Sequence, residues 1–348
     1  MEGDIMKKFK YMIQRITKMN HKAMYETAKE VHKRTGKNTL LILIDIIKTG
    51  LKYQAGYVDY LDFELYNVPE SKRSTFVTRG VNNAYVAKFN SQEKWDTLDN
   101  KVEFLKFFDG YHNRAWLDLN STSFDDFEHF FKTNPRIVAK PVDGIGGKGI
   151  EFFDFDGTNA KAVYDSMRAN NQTLAEAYII QDERMGILHP ASVNTVRIVT
   201  LQKNGHIRIP FACVRCGNGK SVDNLNSGGF AARINLETGV VETDGVGKFN
   251  KIAAVHPLTG ITFKGFEVPE FEAMIELAKK AALHIPELGM VGWDVALTKD
   301  GPMLIEGNQF PGHDIYQSPG FLGEAQIGVK PLFDRLIAEL DNTQNTEK

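Results

Sequence analysis

The sequence predicts an α+β protein, and three observations carry that expectation. Residues 1–132 are largely polar and periodic at helical spacing. From 136 onward the texture changes to short apolar runs separated by glycine turns. One strong helical segment, 268–283, interrupts those runs, with Phe271, Met274, Ile275, Ala278 and Ala282 at helical spacing.

Each element has its own local signal. "MIQRITKMNHKAMYETAKEVHKRTG" ends at Gly36, where a helix C-cap sits. "SFDDFEHFFKTNP" opens on Ser123 as N-cap and stops before Pro135. "RIVAKPVDGIGGKGIEFFDF" reads strand, glycine-rich loop, strand; "AKAVYDSMRANN" is a short helix and "LAEAYIIQ" a strand. "VNTVRIVTLQKNGHIRIPFACVRCG" is a hairpin turning at Asn204 and Gly205. "GGFAARINLETGVVET" reads as a further strand pair, and "GMVGWDVALT" and "PMLIEGN" are the last two strands. The expected divisions are a mainly helical region at 1–132, a small lobe with the glycine-rich loop at 133–185, a larger lobe at 186–340, and a tail at 341–348.

Composition narrows the function classes. The chain has 348 residues, 42% hydrophobic and 25% charged, enough for two or three lobes around a sizeable core. A net charge of -2 gives nucleic acid no global attraction. The first 37 residues hold ten Lys or Arg against four Asp or Glu, a local excess of six. That arm reads as a solvated helix or as a contact for an anionic membrane surface or partner. The apolar run that ends at Ile47 contains Asp45 and is too short to cross a bilayer. The N-terminus has no apolar core before a small-residue cleavage site, so a cytoplasmic location is expected. Cys213 and Cys216 lie inside an apolar strand-like stretch and read as core residues. His189 and His256, each followed by proline, read as turn residues.

Three stretches carry chemistry. "GIGGKG" fits G-x-G-x-x-G with Gly144, Gly146, Gly147 and Gly149, but a strand follows where a dinucleotide fold requires a helix. A glycine hairpin covering phosphates with backbone N–H groups fits better, with Lys140 and Lys148 as cations; an ordinary flexible hairpin is the alternative. In "PMLIEGN", strand alternation turns Glu306 and Asn308 to one face, either as donors to a hard cation or as a polar strand end. Asp294, in "GWDVAL", stands twelve residues earlier across the turn "TKDGP". A carboxylate inside an apolar strand is costly unless paired or on a metal. Asp294, Glu306 and Asn308 together suggest one or two Mg²⁺ ions, with Mn²⁺ as a substitute, bridging nucleotide phosphates.

The order of parts over roughly residues 100–320 resembles the ATP-grasp superfamily. "NLNSGG" at 224–229, preceded by Arg215, and "EGNQFPG" at 306–312 resemble segments of the glutamate-adding ligases that modify a ribosomal protein tail. "VDYLDFELYNVPESKRSTFVT" resembles the sugar-transfer-associated subgroup, whose members are associated with surface polysaccharide synthesis. The resemblance implies an ATP-grasp fold, two α+β lobes sandwiching ATP, behind the helical N-terminal region. It implies Lys101 and Lys140 at the α- and β-phosphates, and Glu176, Tyr178 and Ile179 at the adenine hinge. Glu183, with Asp182 as the alternative, falls at the ribose, Arg215 at the γ-phosphate, and Asp294, Glu306 and Asn308 at the metal. Many ATP-grasp ligases carry an arginine two residues before the metal Asp; that position here is Gly292, and Arg197 is the candidate to replace it. His313 follows the metal motif as a candidate acceptor-side residue.

The resemblance implies ligation of a small-molecule or sugar-linked carboxylate to an amine through an acylphosphate, with no nucleic acid partner. Contact with membrane polysaccharide machinery is a further expectation. The alternatives are a kinase acting on a sugar-type hydroxyl and a non-catalytic accessory of a glycosyltransferase.

Overall fold

The protein is described by a computed structural model covering residues 20–142, 149–220 and 222–343. It divides into two compact units: Met1–Tyr85 with Gly312–Asp334, and Val86–Pro311 with Arg335–Lys348. These breaks differ from the change of sequence texture near 132. Leu98, Val102, Phe104, Leu105 and Phe108 belong to the same core cluster as Val291, Trp293 and Leu304, so the helical stretch after 86 packs with the sheets that follow.

The first unit is helical in its N-terminal part. Helices His21–Thr35 and Thr39–Tyr53 share a core that includes Ala28, Val31, Ile42 and Ile46. Asn20 caps the first by accepting from the Ala23 N–H at 3.0 Å, and Gly36, at φ 71°, ends it. The acid in the apolar second helix has partners: Arg73 donates to Asp45 from Nη1 at 2.8 Å and Nη2 at 2.9 Å, and the Tyr60 hydroxyl at 2.7 Å. Among the described residues no helix is long and apolar enough to cross a membrane.

The second unit holds two antiparallel sheets. The smaller comprises β1 (Trp116–Asp118), β2 (Arg136–Lys140), β3 (Glu151–Asp154) and β4 (Leu174–Ala177), in the order β1-β4-β2-β3. Helices Phe124–Thr133, with Ser123 as its N-cap, and Ala160–Ala169 bury Phe127, Phe131, Val163 and Met167 with Ile137, Ala139 and Ala175. The three-residue β1 lies inside the region expected to be helical. It is a strand because Trp116 meets Glu176 and Leu117 meets Ala175 in register, a long-range pairing.

The larger sheet comprises β5 (Thr195–Lys203), β6 (His206–Cys216), β7 (Phe230–Arg233), β8 (Gly245–Gly247), β9 (Lys251–Ala253), β10 (Met290–Thr298) and β11 (Gly301–Asn308). Its order is β11-β10-β5-β6-β7-β8-β9. Asn204 and Gly205, at φ 50° and 79°, turn the β5–β6 hairpin as the Asn-Gly pair predicts. The strand pair expected within 228–243 forms in part: Ile234 bridges Val241, and the Glu242 N–H donates to the Arg233 carbonyl at 2.9 Å. β7 itself pairs with β8. The strong helix runs Phe271–His284 rather than from 268, because Glu270 sits in left-handed backbone at φ 55°. Met274, Ala278, Ala281 and Ala282 are buried on it. Cys213 and Cys216 are buried free thiols in β6, both pushed up to about 12 by burial. His189 and His256 are buried in loops, where His189 pairs with Ser192 and His256 with the Gly217 carbonyl, each at 2.8 Å.

The β10–β11 hairpin is locked from beneath. Trp293 is wholly buried, donates from Nε1 to Thr200 Oγ1 at 3.0 Å, and lies opposite Gly307 in register. A Cβ on Gly307 would come within 2.8 Å of the Trp293 ring and 3.2 Å of Leu98. Gly307→Ala is therefore expected to destabilise the protein by about 1–3 kcal/mol through overpacking, read as a lower urea midpoint with an unchanged slope.

Candidate active site

Both sheets of the second unit contribute walls to one cleft of about 180 Å³. The small sheet brings Val138, Lys140, Phe152 and Glu176, with Tyr178 and Ile179 just beyond β4. The large sheet brings Thr195, Arg215, Asp294 and Glu306, and the segment before β1 brings Lys101 and Arg114.

Local structure aims each cation. Lys140 ends β2, two residues after Val138, which lies opposite Glu176 in register, so Lys140 and Glu176 share a face. Lys101 opens helix Lys101–Phe107 behind the Asn100 cap, and its Nζ donates to the Val142 carbonyl at 3.1 Å. Glu176 is 2% exposed and lies between two cations: its Oε1 meets Arg114 Nε at 2.7 Å and its Oε2 meets Lys140. Burial alone would raise its pKa, but Arg114 and then Lys140 outweigh that and hold it at about 2. The carboxylate expected at the adenine hinge is thus committed to Arg114 and Lys140. Tyr178 stands beside it under the Arg136 guanidinium, 4.5 Å from its ring centroid.

On the large sheet Asp294 lies opposite Arg197 on one side and Glu306 on the other. Arg197 binds it in bidentate fashion through Nε and through Nη2, the latter at 2.8 Å, and Arg215 Nη1 adds a bond at 2.6 Å. Burial pushes Asp294 up, yet the two guanidinium groups hold it well below the usual carboxylate range. Glu306 behaves oppositely: desolvation first, and the Asp294 carboxylate second, raise its pKa, although 55% of its side chain stays open. Asn308 is two residues on and therefore on the same face; its Oδ1 accepts from the Phe310 N–H at 2.9 Å. This all-oxygen donor set, with Glu306 open to the cleft, fits a hard cation that completes its shell with phosphate oxygens and water. No group of three or more His, Cys, Asp or Glu side chains among the described residues could hold a metal unaided.

Of the residues singled out in the sequence, Lys101, Lys140, Glu176, Tyr178, Ile179, Arg215, Asp294 and Glu306 line the cleft. Arg197 is buried and reaches it through Asp294. Gly292 leaves the space Arg197 uses: a Cβ there would lie 3.2 Å from Arg197 Cδ and 3.1 Å from Pro311. Glu183 is exposed at the start of helix Glu183–Gly186 and is not among the lining residues, while Asp182 caps that helix and pairs with Arg184. His313 belongs to the first unit, where its Nε2 meets Asp59 Oδ1 at 2.8 Å. Gly144, Gly146, Gly147 and Lys148 lie outside the described residues. Arg114, Asp223 and Thr195 also line the cleft and carry no signal in the sequence that marks them. Asp223 accepts from Thr195 Oγ1 and lies 3.5 Å from Arg215.

Glu176→Gln leaves Lys140 and Arg114 without their shared anion and should cost about 3 kcal/mol at pH 7. Because the native carboxyl titrates near 2 against an ordinary 4.5, its stabilisation is present above 4.5 and is lost as the pH falls toward 2. Urea unfolding of the two proteins should therefore converge across that window.

The model for sugar-transfer associated ATP-grasp proteins matches residues 80–326. No curated protein matches the chain. Among solved structures, the ATP-grasp ligase PsnB complexed with a phosphomimetic variant of its minimal precursor, Mg and ADP is 14% identical, with a TM-score of 0.40 over 72% of this chain and 61% of that one. D-alanyl-alanine synthetase A from Vibrio cholerae O1 biovar eltor is 16% identical, with a TM-score of 0.41 over 71% and 66%. An L-amino acid ligase from Bacillus licheniformis is 14% identical, with a TM-score of 0.40 over 68% and 48%. The chain thus spans less than two thirds of the length of each of these three. The family match takes in all eleven strands and every residue named in the cleft, and the chain belongs to the sugar-transfer associated ATP-grasp family.

Proposed function

We propose that the protein is an ADP-forming ligase that joins a carboxylate to an amine with Mg·ATP, on small or sugar-linked substrates of surface polysaccharide synthesis or modification. The observation that carries this reading is the charge layout of the cleft. Lys101, Lys140 and Arg215 reach it from three separate elements, beside the opposed pair Asp294 and Glu306. Fixed cations next to oxygen donors are what a polyphosphate and its metal require. The polysaccharide setting rests on the family description alone.

In this reading Lys101 and Lys140 grip the α- and β-phosphates, Arg215 meets the γ-phosphate, and Tyr178 and Ile179 flank the adenine, which the backbone of 177 and 179 reads. Gly144, Gly146, Gly147 and Lys148 cover the phosphates. Asp294, Glu306 and Asn308 would hold Mg²⁺, which would supply charge neutralisation to the phosphates. A substrate carboxylate oxygen attacks the γ-phosphorus, the bond to the bridging oxygen breaks, and ADP leaves. The amine nitrogen then attacks the acyl carbon, the carbon–oxygen bond to phosphate breaks, and the surplus amine proton passes to solvent. Side chains do little covalent work; they position the reactants and spread charge. Such a protein works in the cytoplasm, where ATP is available.

Purified protein, Mg²⁺ and ATP, offered pooled uronic acids and nucleotide-linked sugars with and without amino compounds, tests the reading by mass spectrometry. Free phosphate that forms only with an amine, together with a condensed product, is expected. Phosphate retained on the acceptor would make the protein a kinase, and no turnover with tight nucleotide binding would make it an accessory. Glu306→Ala should abolish turnover with the fold intact; unchanged activity there would remove the metal assignment.

A further inference from the structure

We infer that Arg114 is a positioning residue that couples the phosphate-side lysine to the metal-side carboxylate, and thereby holds the two sheets in register at the cleft. This inference rests on the nucleotide reading above for its consequence, though not for its geometry. Arg114 is only 8% exposed, and its guanidinium spans two sheets. Nε faces Glu176 Oε1 on β4 at 2.7 Å, and Glu176 in turn holds Lys140 on β2. Nη2 donates to the Ile305 carbonyl at 3.0 Å, and Nη1 to the Leu304 carbonyl at 3.4 Å, both on β11.

Ile305 is not an ordinary strand residue. The register passes from Val295–Leu304 to Asp294–Glu306, so Ile305 is the extra residue of a bulge. Bulges re-aim the side chains that follow them, and the side chain that follows this one is Glu306. One buried fork therefore sets the lysine on one wall and the residue that turns the acid on the other. A buried guanidinium is costly unless its charge is paired, as Glu176 pairs this one. Its planar fork matches a carboxylate and two adjacent carbonyls as a lysine cannot.

Two readouts on Arg114→Lys and Arg114→Met test this. The first is amide hydrogen exchange in the nucleotide-free protein. Exchange should quicken at 303–306 in both variants and stay unchanged along β5 and β6. The second is the Mg²⁺ concentration giving half-maximal ATP binding by titration calorimetry. It should rise about 10- to 100-fold in Arg114→Met, as when a partner of a metal ligand is removed, and by less in Arg114→Lys. A general packing defect would quicken exchange across the sheet and leave the Mg²⁺ dependence where it was, which overturns the inference. So would wild-type exchange at 303–306 in Arg114→Lys, the variant that keeps the charge should Arg114→Met not fold. Wild-type protein that binds no Mg·ATP defeats the nucleotide reading instead, while the exchange comparison still decides whether Arg114 holds the bulge.

Discussion

The direct opposition of Asp294 and Glu306 across β10 and β11 is the constraint on which both core and cleft depend. Two carboxylates facing each other on paired strands repel, so this register survives only because other groups insist on it. On the same face, Arg197 and Arg215 neutralise Asp294. On the opposite face, Trp293 fills the space that Gly307 leaves empty. A slip of one residue would turn Trp293 out of the core and turn the acids into it, away from their arginines, since strand side chains alternate. The hydrophobic core thus selects the arrangement that brings two oxygen donors together, and the arginines make that arrangement affordable in electrostatic terms.

A second regularity joins the two walls. Each deeply buried carboxylate of the cleft has two cations: Glu176 has Arg114 and Lys140, and Asp294 has Arg197 and Arg215. The anions keep long, flexible cationic side chains in one place, which lowers the entropy that a bound polyphosphate would otherwise have to remove. Glu306 differs, being open and short of a close positive partner: Arg197 Nη2 is 3.9 Å away.

Much of this was legible in the sequence, for identifiable reasons. Gly36, Ser123 and the Asn204–Gly205 turn act locally, and each ends or starts the element it predicted. Lys140, Asp294 and Glu306 stood out because a charge at or inside an apolar strand demands a purpose. What escaped depends on distant partners. β1 exists only through β4, and the start of β7 pairs with β8, fourteen or more residues on, while only its end meets residues 241–243. Arg114 lies in "YHNRAW" after a His-Asn pair and looks like an ordinary loop cation; its carboxylate partner is 62 positions away and its carbonyl partners about three times as far. His313 is the converse. It follows the metal motif closely in the chain, yet the carboxylate it meets is Asp59, 254 positions earlier.

The glycine at 292 gives the same lesson in a single residue pair. Read along β10 alone, the chain lacks the arginine that many ATP-grasp ligases carry two residues before the metal acid. Read across the sheet, a guanidinium is present, delivered from β5 by Arg197, directly opposite Asp294. The two positions are not independent. A side chain at 292 would crowd Arg197 Cδ at 3.2 Å and Pro311 at 3.1 Å, so glycine leaves Arg197 its present place without any shift of the neighbours. The charge beside Asp294 is supplied here from β5 by Arg197 and from β6 by Arg215. Its absence from the expected position marks a relocation across one inter-strand spacing, in which glycine makes the room and the neighbouring strand provides the fork.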